Sequence, residues 1–302
     1  MDTLIVITGP TGVGKSEVAV EVAEALGTEI LSADSRQIYA GIPITTAAPT
    51  HEQMRRIPHH FVGCLPLDSY YSASLFEEQA LALLPSVFTR CGGVAVACGG
   101  SMMYVDALCD GLDELPAVSA GVRARVMELL AEKGEQELLR MLDELDPAYA
   151  AIVDRNNTKR VMHALEICME AGTTYTSLRG REKTRRPFRI LKFMLTAPRP
   201  VLFDRINSRT LRMVEAGMAE EVRSVAHLRH LNSLNTVGFK EMLRYIDGEW
   251  SLAEAVARLQ KNTRVYAKKQ LTWYARDPQI RTIDVTTQKG AEIILNAFDS
   301  AG

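Results

Sequence analysis

The chain has 302 residues, 47% of them apolar and 24% charged, with a formal net charge of −2. That balance excludes a disordered or fibrous polypeptide and suits one large globular domain with a smaller appendage. It gives no global sign of nucleic-acid binding, which would have to come from a local basic surface.

Residues 4–7, Leu-Ile-Val-Ile, predict a buried strand, and residues 9–16 then read Gly-Pro-Thr-Gly-Val-Gly-Lys-Ser. This is a complete G-x-x-x-x-G-K-[ST] phosphate loop (P-loop), and a helical pattern follows over 17–26. The backbone of Gly9, Pro10, Thr11, Gly12, Val13 and Gly14 would wrap a phosphate at the positive end of that helix, with Lys15 adding a charge and Ser16 a metal-ligating hydroxyl. A second short strand over 29–33 delivers Asp34 to the same sheet edge, where an acid can take a proton, orient metal-bound water or cap a helix. An amphipathic stretch over 74–89 precedes a third strand over 94–98, which ends in Gly99-Gly100-Ser101. Two glycines there allow close approach to a ligand, or form a tight turn with a capping serine.

Strand signals vanish between about 116 and 178, where 122–133, 135–145 and 159–171 read as helices and Asp146-Pro147 marks a break. An aliphatic run at 190–196 resumes the sheet, helical patterns cover 200–215, 219–228, 239–246 and 252–275, and 281–285 reads as a last strand. The expected fold is α/β: a P-loop NTPase-like core with a parallel β-sheet flanked by helices, plus an α-helical insertion domain. Residues 1–114 and 187–302 would form the core and 115–186 the insertion.

In the helix at 252–275, Leu252, Ala255, Val256, Leu259, Tyr266 and Trp273 fall on one arc, and Arg258, Lys261, Arg264, Lys268, Lys269 and Arg276 on the other. No acid lies between 258 and 276, so the second arc is a basic stripe suited to a polyanion. The basic stretch at 179–186, Arg-Gly-Arg-Glu-Lys-Thr-Arg-Arg, reads equally as a solvated linker. Five cysteines (64, 91, 98, 109 and 168) never fall at C-x-x-C spacing, and the histidines show no zinc-ligand spacing. With no leader-like segment and no run of membrane-spanning length, the expectation is a cytoplasmic enzyme with reduced thiols and no membrane association. Taken alone, the loop also fits a small-metabolite or nucleotide kinase. Against that, Ala95-Val96-Ala97-Cys98 lacks the acid of a second metal-binding motif.

An ordered set of segments narrows the choice. The loop at 9–16, Asp34-Ser35-Arg36-Gln37-Ile38-Tyr39, Pro58-His59-His60, Gly99-Gly100-Ser101, His163-Ala164-Leu165-Glu166, Val237-Gly238-Phe239-Lys240-Glu241, and Thr263-Arg264 with Ala267-Lys268-Lys269-Gln270 and Trp273 resemble the motif series of the tRNA dimethylallyltransferases. The resemblance runs from residue 4 to about 275. It implies transfer of a dimethylallyl group from dimethylallyl diphosphate to N6 of the adenosine 3′ of the anticodon, with the loop holding pyrophosphate instead of ATP and Mg²⁺ assisting. It casts Asp34 as the base, and Lys15, Ser101 and Arg223 as contacts of the leaving diphosphate. Asp34, Ser35, Arg36 and Gln37 would hold the extruded base, with Ser101 beside them. Arg123, Thr158, Lys159, Arg160, Val161 and Met162 would contact the tRNA, as would Lys261 and Lys268 from the basic stripe. A monomer engaging the anticodon stem-loop is expected. The chain departs from the usual pattern at Thr45, Ala48, Met102, Asn157, His163 and Phe239, and carries Ser101 where threonine is usual.

Overall fold

The computed structural model describes residues 1–113, 115–180 and 183–300. Glu114, at an expected boundary, and Arg181 and Glu182, in the basic stretch, lie outside the described residues. The chain divides into two compact units, Met1–Asp110 with the chain from Arg185 onward, and Gly111–Thr184.

The first unit opens with β1 (Thr3–Thr8), α1 (Lys15–Leu26), β2 (Ile30–Ser32), α2 (His51–Arg56), β3 (His59–His60), α3 (Ala73–Arg90), β4 (Val94–Cys98) and α4 (Met102–Asp110). The second unit carries α5 (Ala120–Leu145), α6 (Pro147–Ala150), α7 (Thr158–Ala171) and α8 (Tyr175–Leu178). The first unit then resumes with β5 (Arg189–Thr196), α9 (Arg199–Glu215), α10 (Met218–Ser224), α11 (Phe239–Ile246), α12 (Leu252–Tyr274), β6 (Arg281–Asp284) and α13 (Gly290–Asp299).

The six strands form one parallel sheet in the order β3-β2-β4-β1-β5-β6, with Ile5 opposite Val96 on one side and Leu191 on the other. Both faces are covered, and alternate residues of each strand serve opposite cores. Ile5, Ile7, Val96, Phe193 and Leu195 pack with α1 and α13, while Leu4, Val6, Ala95, Ala97 and Met194 pack with α3 and α4. Parallel order has one functional consequence: the segments leaving β1, β2 and β4 all emerge at the same edge.

In the first unit β3, α2, α4 and α13 were not foreseen from sequence, nor were the short α6 and α8 of the second. β3 is two residues long, too short for any periodicity, and α2 rests on a capping box between Thr50 and Gln53. α4 and α13 are short helices of nine and ten residues in segments that the sequence reading left unassigned. The expected helix over 219–228 stops at Ser224 and ends in a 3₁₀ turn at Ala226–Leu228.

In the second unit, the helical patterns at 122–133 and 135–145 meet at Gly134, whose φ of 77° kinks α5. The Asp146-Pro147 break starts a helix: Asp146 is buried, accepts the Tyr149 N–H at 3.0 Å and also takes the N–H and hydroxyl of Thr176. Leu138, Leu142, Val161, Leu165 and Tyr149 fill this unit's own core.

Candidate active site

The loop after β1 ends at Gly14, whose φ of 104° turns the chain into α1 with no side chain capping the helix. The first N–H groups of α1 are therefore left for an anion. Lys15 folds over the loop, its Nζ donating to the carbonyls of Gly9 and Pro10 at 3.0 Å each. Burial lowers its pKa to about 8; Cys98 and Asp34 oppose that shift and Arg209 adds to it. Lys15, Ser16, Asp34, Arg209, Tyr266 and Gln270 are among the residues lining a cavity of about 440 Å³ over the loop.

A second cleft of about 250 Å³ has Asp34, Ser35, Arg36 and Ser101 in its wall. Asp34, Thr11, Arg209 and Tyr266 belong to both spaces, so the acid stands where the two meet. One carboxylate oxygen, Oδ1, accepts the N–H groups of Arg36 at 2.9 Å and Gln37 at 3.3 Å, fixing the turn. Among the described residues no hydrogen-bond partner engages Oδ2. The capping and chemical readings of Asp34 are thus compatible, one oxygen for each.

The turn after β4 lies against β2. Ser101 N–H donates to the Ala33 carbonyl at 3.2 Å, and the Ser101 hydroxyl accepts the Ser35 N–H at 2.8 Å. A Cβ on Gly99 would sit 2.1 Å from the Ala33 carbonyl oxygen, so only glycine fits this approach. Ser101 lines the second cleft, not the loop cavity. Tyr266 crosses beside it, its phenol pKa pushed up to about 12 by burial and by Asp34, against the pull of Arg36 and a Ser101 hydrogen bond.

Arg36 and Gln37 spend their side chains on the protein. The Arg36 guanidinium donates to the Asn232 and Ser233 carbonyls at 2.7 and 3.1 Å, and the Gln37 amide donates to the Ala47 carbonyl at 3.0 Å. Glu221 holds the adjoining segment by accepting the N–H groups of Ile44 and Thr45 at 2.8 and 2.7 Å.

Arg223 does not reach either space. It is exposed on α10, 3.8 Å from Glu220, because the buried side of that short helix is Met218, Ala219 and Val222. The cations lining the loop cavity are instead Arg205, Arg209 and Arg212, at i, i+4 and i+7 on one face of α9. Sequence reasoning missed them, although their spacing was a legible signal. Arg205 donates to the Val13 carbonyl at 3.1 Å and Arg209 to the Thr11 hydroxyl at 2.6 Å. Burial draws the Arg209 pKa down and Asp34 draws it back up.

The buried line of α12 runs through Ala255, Leu259, Thr263, Ala267, Gln270 and Tyr274, on the same side of the helix as the expected arc, while Leu252 at its first turn is exposed. Gln270 falls within that arc at about 100° per residue and meets the phosphate loop. On the other arc Arg258 lies near Glu254 and over the Trp250 ring, while Arg264 and Lys268 lie over Phe203. Lys261 and Lys269 are exposed. In the helical unit, Arg123, Lys159 and Arg160 are exposed and Thr158 bonds Glu135. Val161 is a core residue at 1% exposure, with no surface to offer an RNA, and Met162 packs against the same core.

Among the described residues no group of three or more His, Cys, Asp or Glu could hold a metal. One hydroxyl, Ser16, beside a phosphate cradle and near Asp34 still suits Mg²⁺, which keeps much of its water and takes oxygens from a bound phosphate. No helix among the described residues is long and apolar enough to cross a membrane, and all five cysteines are free.

Comparison with known proteins identifies the family. A family model described as IPP transferase matches residues 37–277, and one described as isopentenyl transferase matches residues 2–69. The chain is 53% identical to tRNA dimethylallyltransferase 1 of Bacteroides thetaiotaomicron, covering 93% of this chain and 91% of that one. It is 49% identical to tRNA dimethylallyltransferase 2 of Porphyromonas gingivalis over 97% of both. The crystal structure of full-length tRNA isopentenylpyrophosphate transferase from Bacillus halodurans superposes with a TM-score of 0.72 at 32% identity, over 100% of this chain and 96% of that one. A eukaryotic dimethylallyltransferase acting on tRNA gives 0.85 at 24% identity, covering 100% of this chain and 80% of its own, a likeness of fold. With a phosphate loop, a facing acid and a match across most of its length, the chain belongs to the IPP transferase family.

Proposed function

We propose that this protein transfers a dimethylallyl group from dimethylallyl diphosphate to N6 of the adenosine 3′-adjacent to the anticodon of tRNA. The observation that carries the reading is the position of Asp34 in the wall shared by the two spaces. The loop cavity has the grip for a diphosphate: free helix N–H groups, Lys15 and the α9 arginines. The second cleft, walled by Ser35, Ser101, Val237, Leu259 and Tyr266, offers the mixed polar and apolar surface a flipped adenine needs.

In this reading N6 attacks the allylic carbon, the carbon–oxygen bond breaks, and pyrophosphate leaves with the bonding electrons. The proton displaced from the amino group passes to Asp34, whose Oδ1 stays in the turn while Oδ2 is available. Lys15 and the arginines hold the negative charge that collects on the leaving group. Ser16 would hold Mg²⁺ there, and the ion would add charge neutralisation to that of Lys15 and the arginines. Exposed Arg123, Lys159, Arg160, Lys261 and Lys268 serve as tRNA backbone contacts. The enzyme acts as a cytoplasmic monomer.

The test pairs two labels. Incubated with tRNA, the protein should move label from dimethylallyl diphosphate into the RNA and leave labelled ATP intact. Consumption of ATP with no label in tRNA would support a kinase instead.

A further inference from the structure

Beside the loop cavity lies a third space, a groove of about 630 Å³, a size suited to a small ligand. Its wall is largely apolar, with Pro43, Ile44, Ala48, Met54, Val62 and Met213 among the lining residues. Gln37, Ala47, Arg209 and Arg212 line the loop cavity too, and Ala47 and Arg209 also line the second cleft, so the three spaces adjoin around Ala47. The groove therefore begins beside the place where a donor's reacting carbon must stand, between the phosphate loop and Asp34.

The segment 43–49 gives this wall a hydrocarbon-like character despite its loop conformation. Glu221 takes the N–H groups of Ile44 and Thr45, and those of Thr46, Ala47 and Ala48 donate to the Ile42, Ile44 and Pro43 carbonyls at 3.2, 3.0 and 2.9 Å. Pro43 and Pro49 have no N–H, so the segment keeps no backbone donor for water or an anion. Gln37 and Thr50 spend their side chains on the Ala47 carbonyl and the Gln53 N–H. Ala47 is held at a left-handed φ of 49°, a conformation that a residue other than glycine keeps only where its surroundings enforce it. The wall is thus built before any ligand arrives. Ala48, where the chain departs from the usual motif pattern, puts only a methyl group into it.

We propose that this groove receives the second isoprene unit of a ten-carbon allylic diphosphate, so that the protein transfers a geranyl as well as a dimethylallyl group to tRNA. This inference rests on the diphosphate-donor reading above and extends it to a second donor. The bonds exchanged are the same: N6 joins C1, the C1–oxygen bond breaks, pyrophosphate leaves with the electron pair, and the amino proton goes to Asp34. The five added carbons touch none of these atoms and leave water for an apolar wall.

The experiment measures transfer into tRNA from labelled geranyl diphosphate and from labelled dimethylallyl diphosphate, on wild type, A48W and A48K. Wild type should transfer both, with kcat/KM for the geranyl donor within about tenfold of that for dimethylallyl. Each methylene withdrawn from water is worth about fourfold in affinity. Filling the groove in A48W, or placing a charge in it in A48K, should therefore raise KM for geranyl diphosphate by about tenfold or more. KM for dimethylallyl diphosphate should be unchanged in both, which also shows that they fold; A48K carries the test should A48W fail to do so. A wild-type protein that labels tRNA from the dimethylallyl donor alone would overturn the proposal and leave the donor reading intact. So would geranyl transfer indifferent to both substitutions, or an equal rise in KM for the two donors, which would make the segment a mere support of the loop cavity. Self-association of wild type that A48K abolishes, with geranyl transfer unaltered, would assign the groove to a second copy of the chain and overturn it as well. A wild-type protein that labels tRNA from neither donor would remove the donor reading, and this inference with it.

Discussion

Gln270 Oε1 accepts the backbone N–H of Thr11 at 2.8 Å, and the same amide donates through Nε2 to the Gly100 carbonyl at 2.7 Å. One buried side chain on α12 thereby fixes the phosphate loop relative to the turn that carries Ser101. Replacing it with leucine leaves two polar groups without partners, each worth about 1–3 kcal/mol, and should lower the thermal midpoint measurably. Gln270→Glu keeps the acceptor for Thr11 but places a negative charge beside the diphosphate. It should raise KM for the donor by about tenfold or more with a smaller loss of stability. Equal KM values for wild type and Gln270→Glu would show that Gln270 does not face the donor.

Lys15 gives the site a pH dependence. Its pKa is lowered to about 8 by burial in the free protein, and an anion in the cavity favours the charged form. Pyrophosphate binding should therefore take up protons near pH 8 and weaken as pH rises beyond it. For folding, the unfolded chain, with lysine at its ordinary 10.5, binds more protons between about 8 and 10.5. The contribution of Lys15 to stability consequently rises with pH across that window. Lys15→Met should flatten both dependences, checked by calorimetry in buffers of different ionisation enthalpy and by denaturant titration at pH 7 and 9.

Gly99→Ala should be among the most damaging small substitutions, because its Cβ would lie 2.1 Å from the Ala33 carbonyl oxygen and 2.8 Å from Ala33 Cα. A loss of about 1–3 kcal/mol, or more, is expected in urea unfolding. Gly121→Ala, in α5 with open space around it, is the contrasting case and should be neutral or mildly stabilising. Similar unfolding midpoints for the two variants would contradict the close approach of β2 and the turn after β4.

The basic arc of α12 is tested by salt. Lys261 is exposed and Lys268 lies over the Phe203 ring, 5.6 Å from its centre. If both meet phosphates, replacing them with glutamine should reduce the slope of log affinity for tRNA against log salt by about 1–2. An unchanged slope would return this arc to an ordinary solvated helix face.

The sequence made the sheet edge legible because parallel strands put three chemically marked segments, the loop, Asp34 and Gly99-Gly100-Ser101, at its carboxyl ends. It did not reveal the wall opposite the loop. Arg205, Arg209 and Arg212 lie on a helix far along the chain from the loop, and only tertiary packing brings α9 over it. Gln270 was visible as part of a motif, but only tertiary packing brings the Thr11 N–H and the Gly100 carbonyl to its amide. Arg223, placed at the diphosphate by resemblance, stands exposed on α10. Val161 illustrates a further limit: within a short basic segment, periodicity did not separate the core position from its exposed neighbours Lys159 and Arg160.

Asp34→Asn tests the central claim most directly, since asparagine Oδ1 can still accept the Arg36 N–H and keep the turn while no base remains. The measurement is the single-turnover rate of dimethylallyl transfer into tRNA, with pyrophosphate affinity determined on the same preparation. The account predicts a rate lower by about 10²–10⁴, with affinity for pyrophosphate largely retained. Transfer by Asp34→Asn at the wild-type rate would contradict it.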